Sequence, residues 1–180
     1  MEDFDFHTHN LKALPGRAIV NLPQEALLYP ETFPLVEGAS YSAGVHPWWI
    51  NSDWQTLWKG VELWAVHPQV VALGECGLDL LHDGDWMVQE MVFLRHLILA
   101  EELHLPVTIH CVRAFDRLLR LRKTVRPQMK WTVHGFRGKP QLARQLLEAG
   151  FDLSFGARRN EDSWAITPPE RRHWESDDDF

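Results

Sequence analysis

The chain has 180 residues, of which 45% are hydrophobic and 24% are charged, and these proportions are typical of one globular domain. Its 25 acidic and 18 basic residues give a formal net charge of -7, which argues against a broad surface that follows the phosphates of duplex nucleic acid. Charged residues interrupt even the apolar stretch 86–105, so a membrane span is excluded. We expect residues 1–180 to form a single domain without a membrane partner.

Eight short apolar runs predict β-strands. They alternate with longer amphipathic stretches, and no low-complexity tract or flexible linker divides the chain. In chain order the candidate strands are 4–6, 18–22, 41–45, 70–73, 106–109, 130–133, 151–155 and 173–175. The eighth run is the weakest by composition, and its assignment as a strand rests mostly on the resemblance described below. The others are too apolar to leave one face in water, as is typical of parallel strands covered by helices.

Helix signals lie between these runs. Asp53 is a candidate cap for a helix that ends before Pro68, while Pro140 and Gly150 bracket a later one. The candidate helices are 54–67, 86–104, 114–125 and 141–149. Eight alternating units predict a closed TIM-type (β/α)8 barrel, with an open α/β sheet as the alternative.

The predicted barrel is trimmed. A barrel of this type usually takes about 250 residues, and two parts of this sequence are short. Residues 10–17 leave no room for a normal first helix, and the sequence ends directly after the eighth run, without an eighth helix. We therefore expect a short first βα unit and no C-terminal helix.

Titratable residues stand where several of the apolar runs end. His7 and His9 are two apart on one strand, so their side chains point the same way and both imidazoles can reach one cation. Other runs end in the same manner, at His46, Glu75, His110 and His134. A single histidine of this kind is more often structural, but the recurrence favours a shared nitrogen and oxygen site. Such a site suits divalent cations, namely zinc, manganese or magnesium, and Glu75 could bridge two of them.

The chain resembles the TatD-type metal-dependent hydrolases, a branch of the amidohydrolase-like TIM barrels that includes deoxyribonucleases. Six motifs in order carry the resemblance. They are Asp-Phe-His-Thr-His at 5–9, Gly-Val-His-Pro at 44–47, Gly-Glu-Cys-Gly-Leu-Asp at 74–79, Leu-Pro-Val-Thr-Ile-His at 105–110, Val-His-Gly-Phe at 133–136 and Leu-Ser-Phe-Gly at 153–156.

The resemblance implies a site for two divalent metal ions. By it, His7 and His9 hold the first ion, Glu75 bridges, and His110 and His134 complete the second. The family ends strand eight with Glu-Thr-Asp, and Glu-Ser-Asp at 175–177 fills that place here, which makes Asp177 the last ligand and, with Glu75, a catalytic residue. Without the resemblance, the acidic run at 177–179 would be interpreted as a solvated tail.

Five further residues are candidates for substrate binding. His46 matches a substrate-side histidine of the family, and Asp79 is expected to orient a ligand or take part in the site. Arg113 and Arg137 each follow a ligand histidine by three residues and could bind a phosphate, although exposed arginines at helix starts are equally common. Trp48 lies on a predicted rim loop, where it could stack on a base. Around both arginines the sequence departs from the family pattern, which affects the substrate assignment and not the metals.

The resemblance, together with these residues, implies a metal-dependent hydrolase, a deoxyribonuclease or exonuclease that cleaves phosphodiester bonds at an accessible nucleic-acid end. Cys76 and Cys111 are too few for a disulfide scaffold, and the sequence starts without a signal segment, so we expect a cytoplasmic protein, acting as a monomer. Either cysteine is more simply a small buried residue than a thiolate ligand. The alternatives are hydrolysis of an amide, lactone or other acyl substrate, and a catalytically degenerate barrel that binds a partner.

Overall fold

Eight parallel strands close into a barrel, in a computed structural model that describes residues 4–177. Neighbouring strands follow one another in chain order, and Asp5 on β1 pairs with Trp174 on β8 to complete the ring. The strands are β1 Asp5–Thr8, β2 Ala18–Asn21, β3 Ser40–Ala43, β4 Val70–Asp79, β5 Val107–Val112, β6 Trp131–Val133, β7 Asp152–Phe155 and β8 Arg172–Trp174. The predicted TIM-type barrel is thereby confirmed, and the open sheet is excluded.

Helices cover the outside of the barrel. The α-helices are α1 Gln24–Leu28, α2 Trp54–Ala65, α3 Trp86–Leu103, α4 Phe115–Val125, α5 Pro140–Glu148 and α6 Glu161–Ile166, and two 3-10 turns lie at Pro47–Trp49 and Pro169–Arg171. The four longer helices were predicted from their apolar faces. The helices α1 and α6 span less than two turns, which is too short to show a helical repeat of apolar residues. In the described part of the chain no helix is long and apolar enough to cross a membrane.

Packing between the helices and the strands forms one continuous core. The inner face of α2 buries Leu57 and Val61, and the largest fully buried side chain is Trp131 on β6. Asp53 precedes α2 as predicted, but its side chain makes no capping hydrogen bond, so the proposed cap is wrong. Capping occurs instead at α3, where the Asp85 carboxylate accepts a hydrogen bond from the Met87 amide.

The two short regions of the barrel are arranged as the sequence predicts. Residues 10–17 form turns that lead directly from β1 to β2. After β8, residues 175–177 are tied to β1 without forming a helix, because the Asp177 amide donates to the His7 carbonyl and the Ser176 amide donates to the Asp5 carboxylate. These bonds hold the end of the described chain against the mouth of the barrel.

Candidate metal centre

One end of the barrel collects seven titratable side chains, which we call the candidate metal centre. Three strands and four segments that follow strands supply them, because the carboxyl ends of parallel strands converge on one rim. The members are His7 and His9 from β1 and its end, His46 after β3, Glu75 on β4, His110 on β5, His134 after β6 and Asp177 after β8. All six residues that the resemblance implied as ligands are therefore brought together, and His46 joins them.

Glu75 occupies the middle of the candidate metal centre, and its carboxylate divides the histidines into two sets. On one side, Glu75 Oε2 lies 3.3 Å from Nε2 of both His7 and His9. Asp177 completes this side, with Oδ1 at 3.6 Å from His7 Nε2 and 3.5 Å from His9 Nε2. Two imidazoles thus face two carboxylates, of which Glu75 lies on β4 and Asp177 follows β8.

On the other side of the carboxylate, Glu75 Oε1 meets three ring nitrogens. The distances are 3.1 Å to His46 Nε2, 3.1 Å to His110 Nδ1 and 2.8 Å to His134 Nε2. The resemblance placed His46 on the substrate side, but its ring nitrogen lies as near to Glu75 as that of His110. His46 is therefore a candidate ligand by geometry.

The donor chemistry of these residues fits divalent cations. Three sets of ligand atoms lie within 4.8 Å of one another: His7 with His9 and Glu75, His7 with His134 and Asp177, and His46 with Glu75 and His110. Both ring nitrogens of His7 and Oε2 of Glu75 are buried without a hydrogen-bond partner among the described residues. Unpaired buried polar atoms are costly, and cation coordination is an ordinary way to satisfy them.

Charge coupling keeps the carboxylates ionised. Burial alone would raise the pKa of Glu75, but the charge of His134 and hydrogen bonds from the surrounding rings hold that pKa well below its usual range. Burial likewise opposes ionisation of Asp177, and hydrogen bonding to His9 with the charges of His134 and His7 lowers its pKa. For His134, burial lowers the pKa, but Glu75 and Glu175 together raise it well above the ordinary value. The candidate metal centre thus offers anionic oxygens at neutral pH.

Two acidic residues orient the histidines from outside the candidate metal centre. Asp79 Oδ2 lies 2.8 Å from His110 Nε2 and accepts a hydrogen bond from the Trp48 indole at 2.8 Å. Glu175 is fully buried, and its Oε1 lies 3.3 Å from His134 Nδ1. Carboxylates that hold the outer nitrogen of a ligand histidine fix its ring orientation. For Asp79 the sequence analysis named this role as one of two alternatives, and it missed Glu175, although Glu175 stands in the same Glu-Ser-Asp triplet as Asp177.

A third supporting residue, His96, was also missed. This histidine lies on α3, fully buried, and its Nε2 accepts a hydrogen bond from the Val45 amide at 2.9 Å. Its Nδ1 lies 2.8 Å from the Val92 carbonyl, so a neutral ring protonated on Nδ1 satisfies both partners. Burial lowers the pKa of His96 to about 4. A lone histidine within a helix carries no sequence signal for this contact, which anchors the residue before His46.

A cleft of about 640 Å³ opens over the candidate metal centre. Arg113 and Arg137 are exposed and line this cleft. Trp48 also lines the cleft with 55% of its surface exposed, and its ring stacks on His82. Trp49 is half-buried, packed against the core and His46, so Trp48 offers the larger open surface.

The two cysteines lie beside the candidate metal centre without joining it. Burial raises the pKa of Cys76 well above its usual range and that of Cys111 to about 12. Cys76 is fully buried, with Sγ 3.8 Å from the Thr108 carbonyl. Both thiols are therefore held protonated, as expected of small buried side chains.

Comparison with known proteins places the sequence in a family. Residues 30–178 match the family model described as TatD related DNase. The chain is 39% identical over 117 residues to the 3'-5' ssDNA/RNA exonuclease TatD of Erwinia tasmaniensis, covering 61% of this chain and 44% of that protein. It is 38% identical over 116 residues to the protein of the same name from Klebsiella pneumoniae, and this match covers 63% of this chain and 44% of that protein. The chain thus spans less than half the length of these curated relatives.

Solved structures share the barrel. The crystal structure of YJJV, a TatD homologue from Escherichia coli K12, superposes with a TM-score of 0.75 at 26% identity and covers 97% of this chain and 78% of that chain. A TatD family hydrolase from Entamoeba histolytica gives a TM-score of 0.73 at 20% identity, covering 97% and 73%, and supports the fold alone. Since the family model matches most of the sequence, the chain belongs to the TatD-related DNase family.

Proposed function

We propose that this chain is a metal-dependent exonuclease that hydrolyses phosphodiester bonds at the end of a single-stranded nucleic acid. The observation that carries the proposal is the buried Glu75 carboxylate with imidazoles against both of its oxygens, a donor set for two divalent cations. Relatives named 3'-5' ssDNA/RNA exonuclease support the substrate class. The net charge of -7 favours a strand end that enters the cleft over movement along a duplex.

Each residue of the candidate metal centre has a defined part in this proposal. The first cation would be held by His7, His9, Glu75 and Asp177, and the second by Glu75, His110 and His134, with His46 beside it. Zinc and manganese suit this set of nitrogen and oxygen donors, whereas magnesium would rely on the carboxylates and on water. Bound cations would supply Lewis acidity that activates water and neutralises phosphate charge.

Protein groups around the cleft would do the remaining work. Asp177 leaves 35% of its side chain exposed and can accept a proton from an attacking water, whereas Glu75 exposes only 4% and serves to hold cations. Arg113 and Arg137 would pair with phosphate oxygens at the cleft surface. Trp48 would stack on a nucleobase while Asp79 holds its indole in place. The two free cysteines suit a reducing compartment, and we place the enzyme in the cytoplasm.

The test is digestion of labelled DNA by the protein loaded with Mn²⁺, Mg²⁺ or Zn²⁺ in turn. A linear single strand should shorten from its 3' end, and a circular strand of the same sequence should remain intact. Glu75→Gln should abolish cleavage while the circular dichroism spectrum is unchanged. Glu62→Gln, the same change on the exposed side of α2, should leave the rate unaltered.

Other outcomes identify the alternatives. Lactone or amide turnover without phosphodiester cleavage, under any of the three cations, would assign an acyl substrate. Tight cation binding with no turnover of either class would assign a degenerate barrel that binds a partner. Cleavage of the circular strand would refute the requirement for a strand end.

A further inference from the structure

The outer face of α3 carries an apolar stripe. Met87, Met91, Leu94 and Ile98 follow one another at intervals of four, three and four residues, so they share one side of the helix. Met87 is 59% exposed, Met91 43% and Ile98 60%, and Leu94 is half-buried. The stripe lines a shallow groove of about 380 Å³. Because the opposite side of α3 already packs into the core, this helix is apolar on two faces.

Two opposite charges flank the stripe. Glu90 lies along one edge and Arg95 along the other, and both line the groove. The intervals match the heptad positions of a coiled coil, with Met87 and Leu94 at d, Met91 and Ile98 at a, Glu90 at g and Arg95 at e. In a parallel pair of helices, a residue at g faces the partner's residue at e five positions later. Glu90 and Arg95 are separated by that interval.

We propose that the stripe is the contact surface for a second copy of this chain, with the two α3 helices side by side and parallel about a two-fold axis. Each Glu90 then meets the Arg95 of the other copy, on both sides of the apolar seam. An antiparallel pair would instead set Glu90 against Glu90 and Arg95 against Arg95, since g faces g and e faces e in that orientation. The charges therefore select the parallel arrangement.

Existing contacts leave both charges available for this pairing. Glu90 reaches Arg117 through one oxygen at 3.4 Å, while the Arg117 guanidinium rests over the Trp86 ring. Arg95 is exposed, and its guanidinium carbon lies 5.3 Å from the centre of the Trp54 ring. Neither contact uses all the hydrogen-bonding capacity of its charged group.

The pairing is modest in size and separate from the candidate metal centre. One helical stripe of four side chains offers less than the roughly 800 Å² per partner of a standard interface, so the dimer forms and dissociates with protein concentration. The proposed dimer differs from the monomer expected from the sequence, and sedimentation distinguishes the two. The seam lies in the outer helical layer, whereas the candidate metal centre lies at the carboxyl ends of the strands, so the inference is independent of the proposed activity.

Charge reversal tests the seam, with sedimentation velocity over a concentration series as the readout. Glu90→Arg and Arg95→Glu should each raise the dissociation constant of the dimer about tenfold, because two attractive contacts become repulsive. An equimolar mixture of the two variants should recover wild-type association, since the mixed pair restores both contacts. Met91→Glu should abolish the dimer, and Leu14→Glu, at a 71% exposed loop position, should not.

A cysteine introduced at position 98 tests the orientation. In the parallel pair, Ile98 faces Ile98 of the other copy, so Ile98→Cys should form a disulfide-linked dimer under mild oxidation. An antiparallel pair would set Ile98 against Met87 and would link a mixture of Ile98→Cys with Met87→Cys instead. Wild-type protein that sediments as a monomer throughout the series, or mixed charge variants that fail to associate, would overturn the proposal.

Discussion

Protonation of His96 should destabilise the fold in a defined pH window. The ring is fully buried, and its Nε2 accepts a hydrogen bond from the Val45 amide. A second ring proton would sit on Nε2, so two N–H donors would face each other and this hydrogen bond would be lost. A folded-state pKa of about 4 lies below the 6.5 of an exposed histidine. The unfolded chain therefore binds the proton more readily, and stability falls as the pH drops from 6.5 to 4. The pKa difference corresponds to a loss of about 3 kcal/mol in the free energy of unfolding.

The assay is urea unfolding monitored by circular dichroism at intervals from pH 7 to pH 4, with a chelator present throughout. His96→Gln keeps an acceptor for the Val45 amide but cannot titrate, so it should lack this component of the pH dependence. The informative quantity is the difference between the two proteins, because all other titrating groups are shared. His96→Leu leaves the amide unpaired and should cost about 1–3 kcal/mol at pH 7. Parallel stability curves for wild type and His96→Gln would refute the reasoning.

Two further predictions follow from the contacts around the barrel. Glu175→Gln weakens the hydrogen bond that orients the ring of His134. Cation affinity, measured by calorimetry, should therefore fall about 10- to 100-fold with little change in melting temperature. Unchanged affinity would contradict the orienting role. Gly60→Ala would bring a Cβ to 2.1 Å from the Leu27 carbonyl and should cost about 2 kcal/mol, whereas Gly84→Ala meets its nearest neighbour at 3.8 Å and should change stability by less than about 0.5 kcal/mol. Equal effects at the two glycines would refute the steric argument.

Much of the barrel could be predicted because its strands and longer helices have regular apolar periods. β4 is the instructive exception, since the prediction stopped at residue 73 and the strand continues to Asp79. Gly74 and Gly77 make the second half resemble a loop in sequence. In the barrel these glycines have φ of 140° and 146° and lie against the backbone of β5, where a Cβ would come within 2.4 Å of the Thr108 carbonyl or 2.0 Å of the His110 carbonyl. Only the neighbouring strand reveals that requirement.

In the candidate metal centre, too, residues marked by a local sequence pattern could be predicted, and residues that depend on distant neighbours could not. His7, His110 and His134 could be found because each lies at or near the end of an apolar run, and parallel topology brings such ends together. Residues that act through another residue were harder to find. His96 anchors a loop 51 positions away, and Glu175 holds a ring 41 positions away. Such partnerships depend on tertiary distances that no local pattern encodes.

The junction between β1 and β8 links the proposed cation site to the folding of the barrel. His7 lies on the first strand, His9 directly follows it, and Asp177 follows the last strand, so their side chains meet only where the ring of strands closes. A folding intermediate that has formed the intervening strands but not this junction would lack one side of the cation site. With the proposed cation site, full cation affinity during refolding would therefore require the ring of strands to have closed.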